Sequence, residues 1–429
     1  MYDIFGLPDF KMPEGFLWGS AVAGHQVEGM NVHSDFWRHE LEMHAKDPSF
    51  ELSGRACNHY ELFREDCRML RELGHMAFRF SLEWARIEPE EGRFSEEAMR
   101  HYLDELECLK QNGITVVLTL IHFTVPDWFA RLGYFDTMEN LCYFERYLRY
   151  VVPKVAPYVD YWVVLNEFNL GIEPRRVDFK LNAVRYHAAG YHIVKAWSDR
   201  PVSSAHAYEH YMPYRDGDRY DRIMCDYMDF CDNGFFFHAI RTGELIFPFR
   251  DALKLPELKN TCDYWAINYY VRAMINSRRS GEAKGPRYNC RRMDMVDMDT
   301  PFTEMTPEDA VCFGARLRDK PILITENGCC SDDDRLRVVY IAEYLSAVAE
   351  AIADGADIIG YLHWSAMDNY EWGSYTPRFG LVSVDRTTFA RTPKPSALFY
   401  RDIIRQNGCD QTLIRRYLSE MPSRCMSNP

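Results

Sequence analysis

Two carboxylates in this chain close apolar runs. Glu326 follows Pro321-Ile322-Leu323-Ile324-Thr325 and is stopped by Asn327-Gly328, while Glu167 follows Tyr161-Trp162-Val163-Val164-Leu165-Asn166. Runs of Val, Ile and Leu without polar alternation suit strands covered on both faces, as in parallel sheets wrapped by helices. At the carboxyl end of such a strand an acid is aimed into a cleft, and two acids facing one mouth are the equipment of glycosidic bond cleavage. By the strand's period of two, Ile322, Ile324 and Glu326 share one side, so the isoleucines are expected to fill a barrel that the carboxylate tops. Taken alone, Glu326 reads equally well as a surface-loop acid; the matching context of Glu167 is what points to chemistry.

Eight strand candidates can position these acids: Phe16–Ala23, Met76–Glu83, Ile114–Phe123, Tyr161–Phe168, Pro201–Tyr208, Tyr264–Val271, Pro321–Gly328 and Ile358–Asp368. Between them, helical patterns run over Asn58–Gly74, Ser95–Gly113, Phe144–Val159, Phe179–Ser198, Tyr220–Thr242, Pro307–Arg318 and Leu336–Asp354. Ser95 with Glu96 and Glu97 suits a helix start, and Gly74 a helix stop, whereas Pro153 is expected to kink or break its helix. The alternation predicts an α/β fold, one (β/α)8 TIM barrel spanning residues 1–429 as a single domain, with long loops over its carboxyl-terminal face. One such loop, containing Gly29, His33, Trp37 and His39, is expected to cover the site. Asn276–Pro301 reads as a surface excursion, and residues from about 410 to 429 as a peripheral tail.

The hydrophobic content of 47% is enough for a large core, and the net charge of −14 argues against nucleic acid or an anionic membrane as partner. No uncharged stretch reaches membrane-spanning length, and the first residues lack a basic segment followed by an apolar one. The 13 cysteines show no Cys-x-x-Cys spacing, so free thiols and a cytoplasmic location are expected. His39 and His44 lie five residues apart, about 140° around a helix, which disfavours a zinc pair. Without a phosphate-binding Gly-Lys loop, a dinucleotide fingerprint or a Gly-x-Ser-x-Gly elbow, neither metal nor cofactor is expected, and kinase, dehydrogenase and serine hydrolase readings lose support.

Ile324-Thr325-Glu326-Asn327-Gly328 and Asn166-Glu167 resemble the nucleophile and acid/base motifs of glycoside hydrolase family 1, a family of retaining β-glycosidases. The resemblance extends through Phe16-Leu17-Trp18-Gly19-Ser20-Ala21, His25-Gln26-Val27-Glu28-Gly29, Phe78-Arg79-Phe80-Ser81, His122-Phe123, Asn268-Tyr269-Tyr270, Trp364 to Trp372, and Arg378-Phe379-Gly380-Leu381. It spans nearly the whole chain in order.

The resemblance implies hydrolysis of unphosphorylated β-glucosides, with β-galactosides or β-fucosides as further candidates, by double displacement. Glu326 would be the nucleophile and Glu167 the acid/base; Asn166, Arg79 and Tyr270 would assist, the last two favouring the Glu326 anion. Gln26, His122, Asn166 and Glu371 would bind sugar hydroxyls, Trp364 and Trp372 would supply an aromatic wall and an indole donor, Asn268 would orient its neighbours, and Phe379 would close the pocket. The partner is then a small β-glycoside or short oligosaccharide. Structural alternatives stand beside these roles: a buried ion pair for Arg79, core packing for Tyr270 and the tryptophans. Phe168 and Val164 depart from the usual proline and threonine around the acid/base, and the segment after Glu371 is one residue short. The rival functions are a carbohydrate-binding barrel without turnover and a transglycosylase sharing the covalent intermediate.

Overall fold

The computed structural model describes residues 4–170, 174–270, 272–278 and 306–420. Its organising element is a closed parallel barrel of β1 (Leu17–Ala21), β2 (Ala77–Ser81), β3 (Thr115–Ile121), β4 (Tyr161–Asn166), β5 (Val202–Ala207), β6 (Trp265–Asn268), β7 (Ile322–Asn327) and β8 (Ile358–Trp364), with β8 pairing back to β1. The strands read as unbroken apolar runs because both faces are covered. Outward residues such as Trp18, Phe78, Val116, Leu118, Trp162 and Val164 pack in the layer shared with the helices. The lumen holds smaller side chains, among them Ala21, Ala77, Val117, Val163, Ala205, Ala266 and Leu323, as the narrow interior of an eight-stranded barrel requires.

The connecting helices begin and end where local chemistry permits. Ser95 caps Glu96–Gln111 by accepting from the Ala98 N–H at 3.1 Å, and Asp333 caps Asp334–Ala353 by accepting from the Arg335 N–H at 3.0 Å. Pro153 lies inside Leu141–Val155, in its last turn, where it removes the N–H that would bond the Arg149 carbonyl but leaves only two residues of helix beyond it.

Several expectations need correction. The connection after β1 is partly helical, with Gly24–Val27 and Asp35–Lys46 folded over the mouth. The sixth strand stops at Asn268, and Arg272–Ile275 pairs instead with His210–Pro213 beyond the barrel rim. The helix expected over Tyr220–Thr242 is Arg219–Asp229, a π-helical turn Phe230–Gly234, and Phe235–Thr242. Residues 411–420 are not peripheral: the helix Gln411–Glu420 packs on Asp334–Ala353 and Pro395–Gln406 and buries Leu413, Ile414 and Tyr417. The surface excursion expected over Asn276–Pro301 lies mostly outside the described residues.

Candidate active site

Ile322 and Ile324 do not fill the barrel. They point outward into the helix layer, and Leu323 points into the lumen. Simple alternation would therefore have turned Glu326 away from the mouth. A bulge reverses this: Ile324 pairs with Tyr361 but Asn327 with His363, and Ile267 pairs with Ile324 but Asn268 with Glu326, so β7 carries one extra residue just before its acid. Strand β4 uses the same device, pairing Val163 with Ser203 but Asn166 with Ala205. Glu167 then adopts a left-handed backbone with φ 47°, held by its N–H donating to Ala205 O at 2.8 Å. For a residue with a Cβ this conformation costs on the order of 1–3 kcal/mol, and it accumulates where function requires it. After Glu326, glycine is obligatory at 328 because a Cβ there would sit 1.7 Å from the Trp364 carbonyl oxygen.

Both acids line one cavity of about 380 Å³, shared with Gln26, His122, Asn268, Tyr270, Trp364, Glu371, Trp372 and Phe379. That volume suits a sugar-sized ligand. Two further expected residues, Arg79 and Asn166, stand just behind this wall. The Arg79 guanidinium bonds Glu326 Oε1 and donates to Asn166 Oδ1 at 2.7 Å and Thr119 Oγ1 at 3.0 Å. Asn166 Oδ1 also accepts from Asn268 at 3.1 Å, while its amide nitrogen meets His122 Nε2 at 3.1 Å. Asn166 is thus a junction between the cation, the histidine and Asn268.

The two carboxylates differ in their partners. Glu326 has the Arg79 cation on one oxygen and the Tyr270 hydroxyl, at 2.7 Å, on the other. Burial pushes its pKa above the usual range, and the charge of Arg79 and the Tyr270 bond pull it back. Among the described residues Glu167 has only the Asn268 amide, at 2.9 Å, as a direct donor. Burial, reinforced by the negative charge of Glu326, pushes Glu167 up to about 8. Near neutrality the proton of the pair therefore belongs on Glu167. Asn268 does more than orient neighbours: it donates to Glu167 while accepting from Thr325 at 2.6 Å.

On the opposite wall Gln26 donates to Glu371 Oε2 and Asn369 Oδ1, each at 3.0 Å, and the Trp364 indole donates to Glu371 Oε1 at 3.3 Å. Burial holds Glu371 at about 7 despite these donors. Gln26 Oε1 and His122 Nδ1 are buried with no hydrogen-bond partner among the described residues. Trp364 lies nearly parallel to His122 at 5.9 Å, and Trp372 stacks on His25. Phe379 reaches the cavity beside Tyr270 despite the shortened segment. Among the departures, Val164 faces outward against Gly190, and Phe168 packs on Phe236 at 4.9 Å; neither substitutes for a donor to Glu167.

A model of glycosyl hydrolase family 1 matches residues 9–409. The chain belongs to glycosyl hydrolase family 1. Beta-glucosidase A of Thermotoga maritima is 26% identical over 449 residues, covering 93% of this chain and 99% of that one. A beta-galactosidase of Sulfolobus acidocaldarius is 27% identical, covering 96% and 98%. Among solved structures, a beta-glycosidase from Pyrococcus horikoshii superposes with a TM-score of 0.86 at 32% identity, covering 97% of this chain and 99% of that one. This family 1 chain is a glycoside hydrolase of the retaining β-glycosidase type.

Sequence reasoning missed Glu209, Leu170, Cys330 and Pro377, which also line the family 1 cavity. Glu209 escaped the rule that found the other two acids because the strand before it, Val202–Ala207, carries Ser203, Ser204 and His206 and is not an unbroken apolar run. Outside the cavity, His210, Asp309 and Cys312 bring donor atoms within 4.8 Å of one another, but Arg272 already donates to Asp309 at 2.9 Å, so a cation occupies that carboxylate's field. Among the described residues no helix is long and apolar enough to cross a membrane.

Proposed function

We propose that this chain, one barrel domain, hydrolyses unphosphorylated β-glucosides, with β-galactosides or β-fucosides also accepted, using Glu326 as nucleophile and Glu167 as acid/base. The observation that carries the reading is the unequal pairing of two acids in one cavity: among the described residues, a cation and a phenol on Glu326 and a single amide donor on Glu167. In the first step a Glu326 oxygen attacks the anomeric carbon, the bond from that carbon to the leaving oxygen breaks, and the Glu167 proton passes to that oxygen. Glu167, now ionised, takes a proton from water, whose oxygen attacks the anomeric carbon and expels the Glu326 carboxylate. Two inversions give net retention.

Gln26, His122 and Glu371 are the groups proposed to bind the sugar's hydroxyls, with Trp364, Trp372 and Phe379 covering its apolar faces. Asn166 and Asn268 are proposed to hold this set in place. A transglycosylase would share every step except the final acceptor, an alcohol instead of water. A reducing, cytoplasmic setting is proposed as well, on the ground that the 13 cysteines show no Cys-x-x-Cys spacing.

The test is hydrolysis of 4-nitrophenyl β-glucoside and β-galactoside followed by proton NMR. The β-anomer is expected first, and Glu326→Ala is expected to abolish turnover. An α-anomeric first product, or an active Glu326→Ala, would overturn the assignment.

A further inference from the structure

Glu209 is a third acid in the cavity and has no part in the displacement described above. It follows β5, which lies across the barrel from β1. The groups assigned to the sugar hydroxyls come mainly from the other arc, Gln26 after β1, His122 after β3, and Trp364 and Glu371 at and after β8. When Glu326 attacks from β7, the leaving oxygen departs toward Glu167 on β4, and so toward the side on which Glu209 stands. The carboxylate is near enough that its charge contributes to the raised pKa of Glu167.

The position of Glu209 is built by dedicated contacts. The Asn233 amide donates to Glu209 O at 2.8 Å and to Asp229 Oδ1 at 2.9 Å, and the Tyr211 hydroxyl, whose single proton has its shorter contact with Asp232 Oδ2, lies 3.1 Å from Glu209 Oε2. Asn169, just after the acid/base, accepts from the Ala207 N–H at 3.0 Å and donates to Ala207 O at 2.7 Å and Asp232 O at 3.1 Å. Asp232 and Asn233 belong to the π-helical turn Phe230–Gly234, which breaks the helical register and directs both residues at the rim. One turn thus ties the Glu167 loop and the Glu209 segment together. Among the described residues the cavity that Glu209 lines also has the apolar side chains of Leu170, Phe123 and Pro377, so it offers both a hydrogen-bond acceptor and hydrocarbon surface to a ligand.

We propose that Glu209 is a specificity-determining residue on the leaving-group side, accepting hydrogen bonds from the hydroxyls of a polyhydroxylated leaving group, a second sugar ring. This rests on the assignment of Glu326 and Glu167 above. Tyr211 and Asn233 act as positioning residues for it.

The experiment compares cellobiose with 4-nitrophenyl β-glucoside, whose leaving group has no hydroxyls to offer, in the full chain and in Glu209→Gln and Glu209→Leu. A hydrogen bond to a carboxylate corresponds to about tenfold or more in rate, so the ratio of kcat/KM for cellobiose to that for the aryl glucoside is expected to fall by at least about tenfold in Glu209→Leu and by less in Glu209→Gln. The alkaline limb of the aryl-glucoside profile is expected to move to lower pH in both, because removing a negative charge lowers the Glu167 pKa. An unchanged ratio, including equal losses on both substrates from a folding defect, overturns the proposal, as does a wild-type chain that cleaves the aryl glucoside but not cellobiose. Failure of the wild type on aryl glucosides and galactosides alike would instead remove the parent assignment.

Discussion

Replacing Tyr270 by phenylalanine removes one oxygen from the site and leaves the ring that packs beside Phe379. That oxygen donates to Glu326 Oε2 at 2.7 Å, a hydrogen bond to a group that must be anionic to attack. Bonds of this kind contribute about 1.5–3 kcal/mol, and 1.36 kcal/mol corresponds to one pKa unit. The anion therefore loses roughly 1–2 units of stabilisation, and the Glu326 pKa, already raised by burial, rises further. Because the two carboxylates titrate as a pair, the shift appears in the lower of their two apparent pKa values. The assay is kcat/KM for an aryl β-glucoside across pH in wild type and Tyr270→Phe, since this profile reports the free enzyme's acid and base. The acidic limb is expected to move up by about 1–2 units, with the activity deficit largest at low pH. A variant that folds normally, loses activity evenly at all pH values and keeps the wild-type limb would refute the argument that Tyr270 holds Glu326 ionised.

Glu167→Gln is expected to lose the alkaline limb that the wild type shows near pH 8, and to give a burst of dinitrophenolate from a 2,4-dinitrophenyl glycoside, because glycosylation of Glu326 by an activated substrate needs no acid whereas its hydrolysis needs the base; steady turnover without a burst would remove the acid/base role. His59 is buried between Asp66 at 2.8 Å and Glu105 at 2.9 Å, and although burial alone would lower its pKa, the two carboxylates hold it at about 10. A raised histidine stabilises the fold fully below its unfolded value of ~6.5, and that stability is lost as pH rises through about 10. Chemical denaturation of wild type is therefore expected to show stability falling over that window relative to His59→Gln, which should start ~3–5 kcal/mol lower, and parallel pH curves for the two proteins would contradict this. Gly328→Ala is expected to cost at least about 3 kcal/mol or to prevent folding, since no rotamer moves a Cβ away from the Trp364 carbonyl; wild-type stability would show that the strand end can relax.

The wrap of the barrel was readable from the chain because both-faces-covered strands and amphipathic helices are written in local composition. The strand ends were less so. The expected run Tyr264–Val271 stops at Asn268 because the backbone turns out to pair Arg272–Ile275 with His210–Pro213, a contact between distant segments. Gln411–Glu420 looked peripheral because its apolar residues, Leu413, Ile414 and Tyr417, have no local partner; their partners are on Asp334–Ala353 and Pro395–Gln406. Glu209 went unnoticed because nothing in its own neighbourhood distinguishes a cavity acid from a solvated one.

By itself the sequence determined the barrel and the two acids at its strand ends, which follow from residue type and order along the chain, while the polar and aromatic residues facing the mouth were expected only through the resemblance to a known family. Tertiary structure decided which way those acids point and which of them holds the proton. The period of two places Glu326 on the side of Ile322 and Ile324, and only the bulge in β7, which exists through pairing with neighbouring strands, turns that carboxylate into the lumen; in β4 the bulge turns Asn166 inward and the left-handed backbone of Glu167 sets the second acid. Their unequal proton affinities likewise arise from Arg79, Tyr270 and Asn268, side chains brought from other strands into a buried space where each charge or hydrogen bond acts with little screening by water.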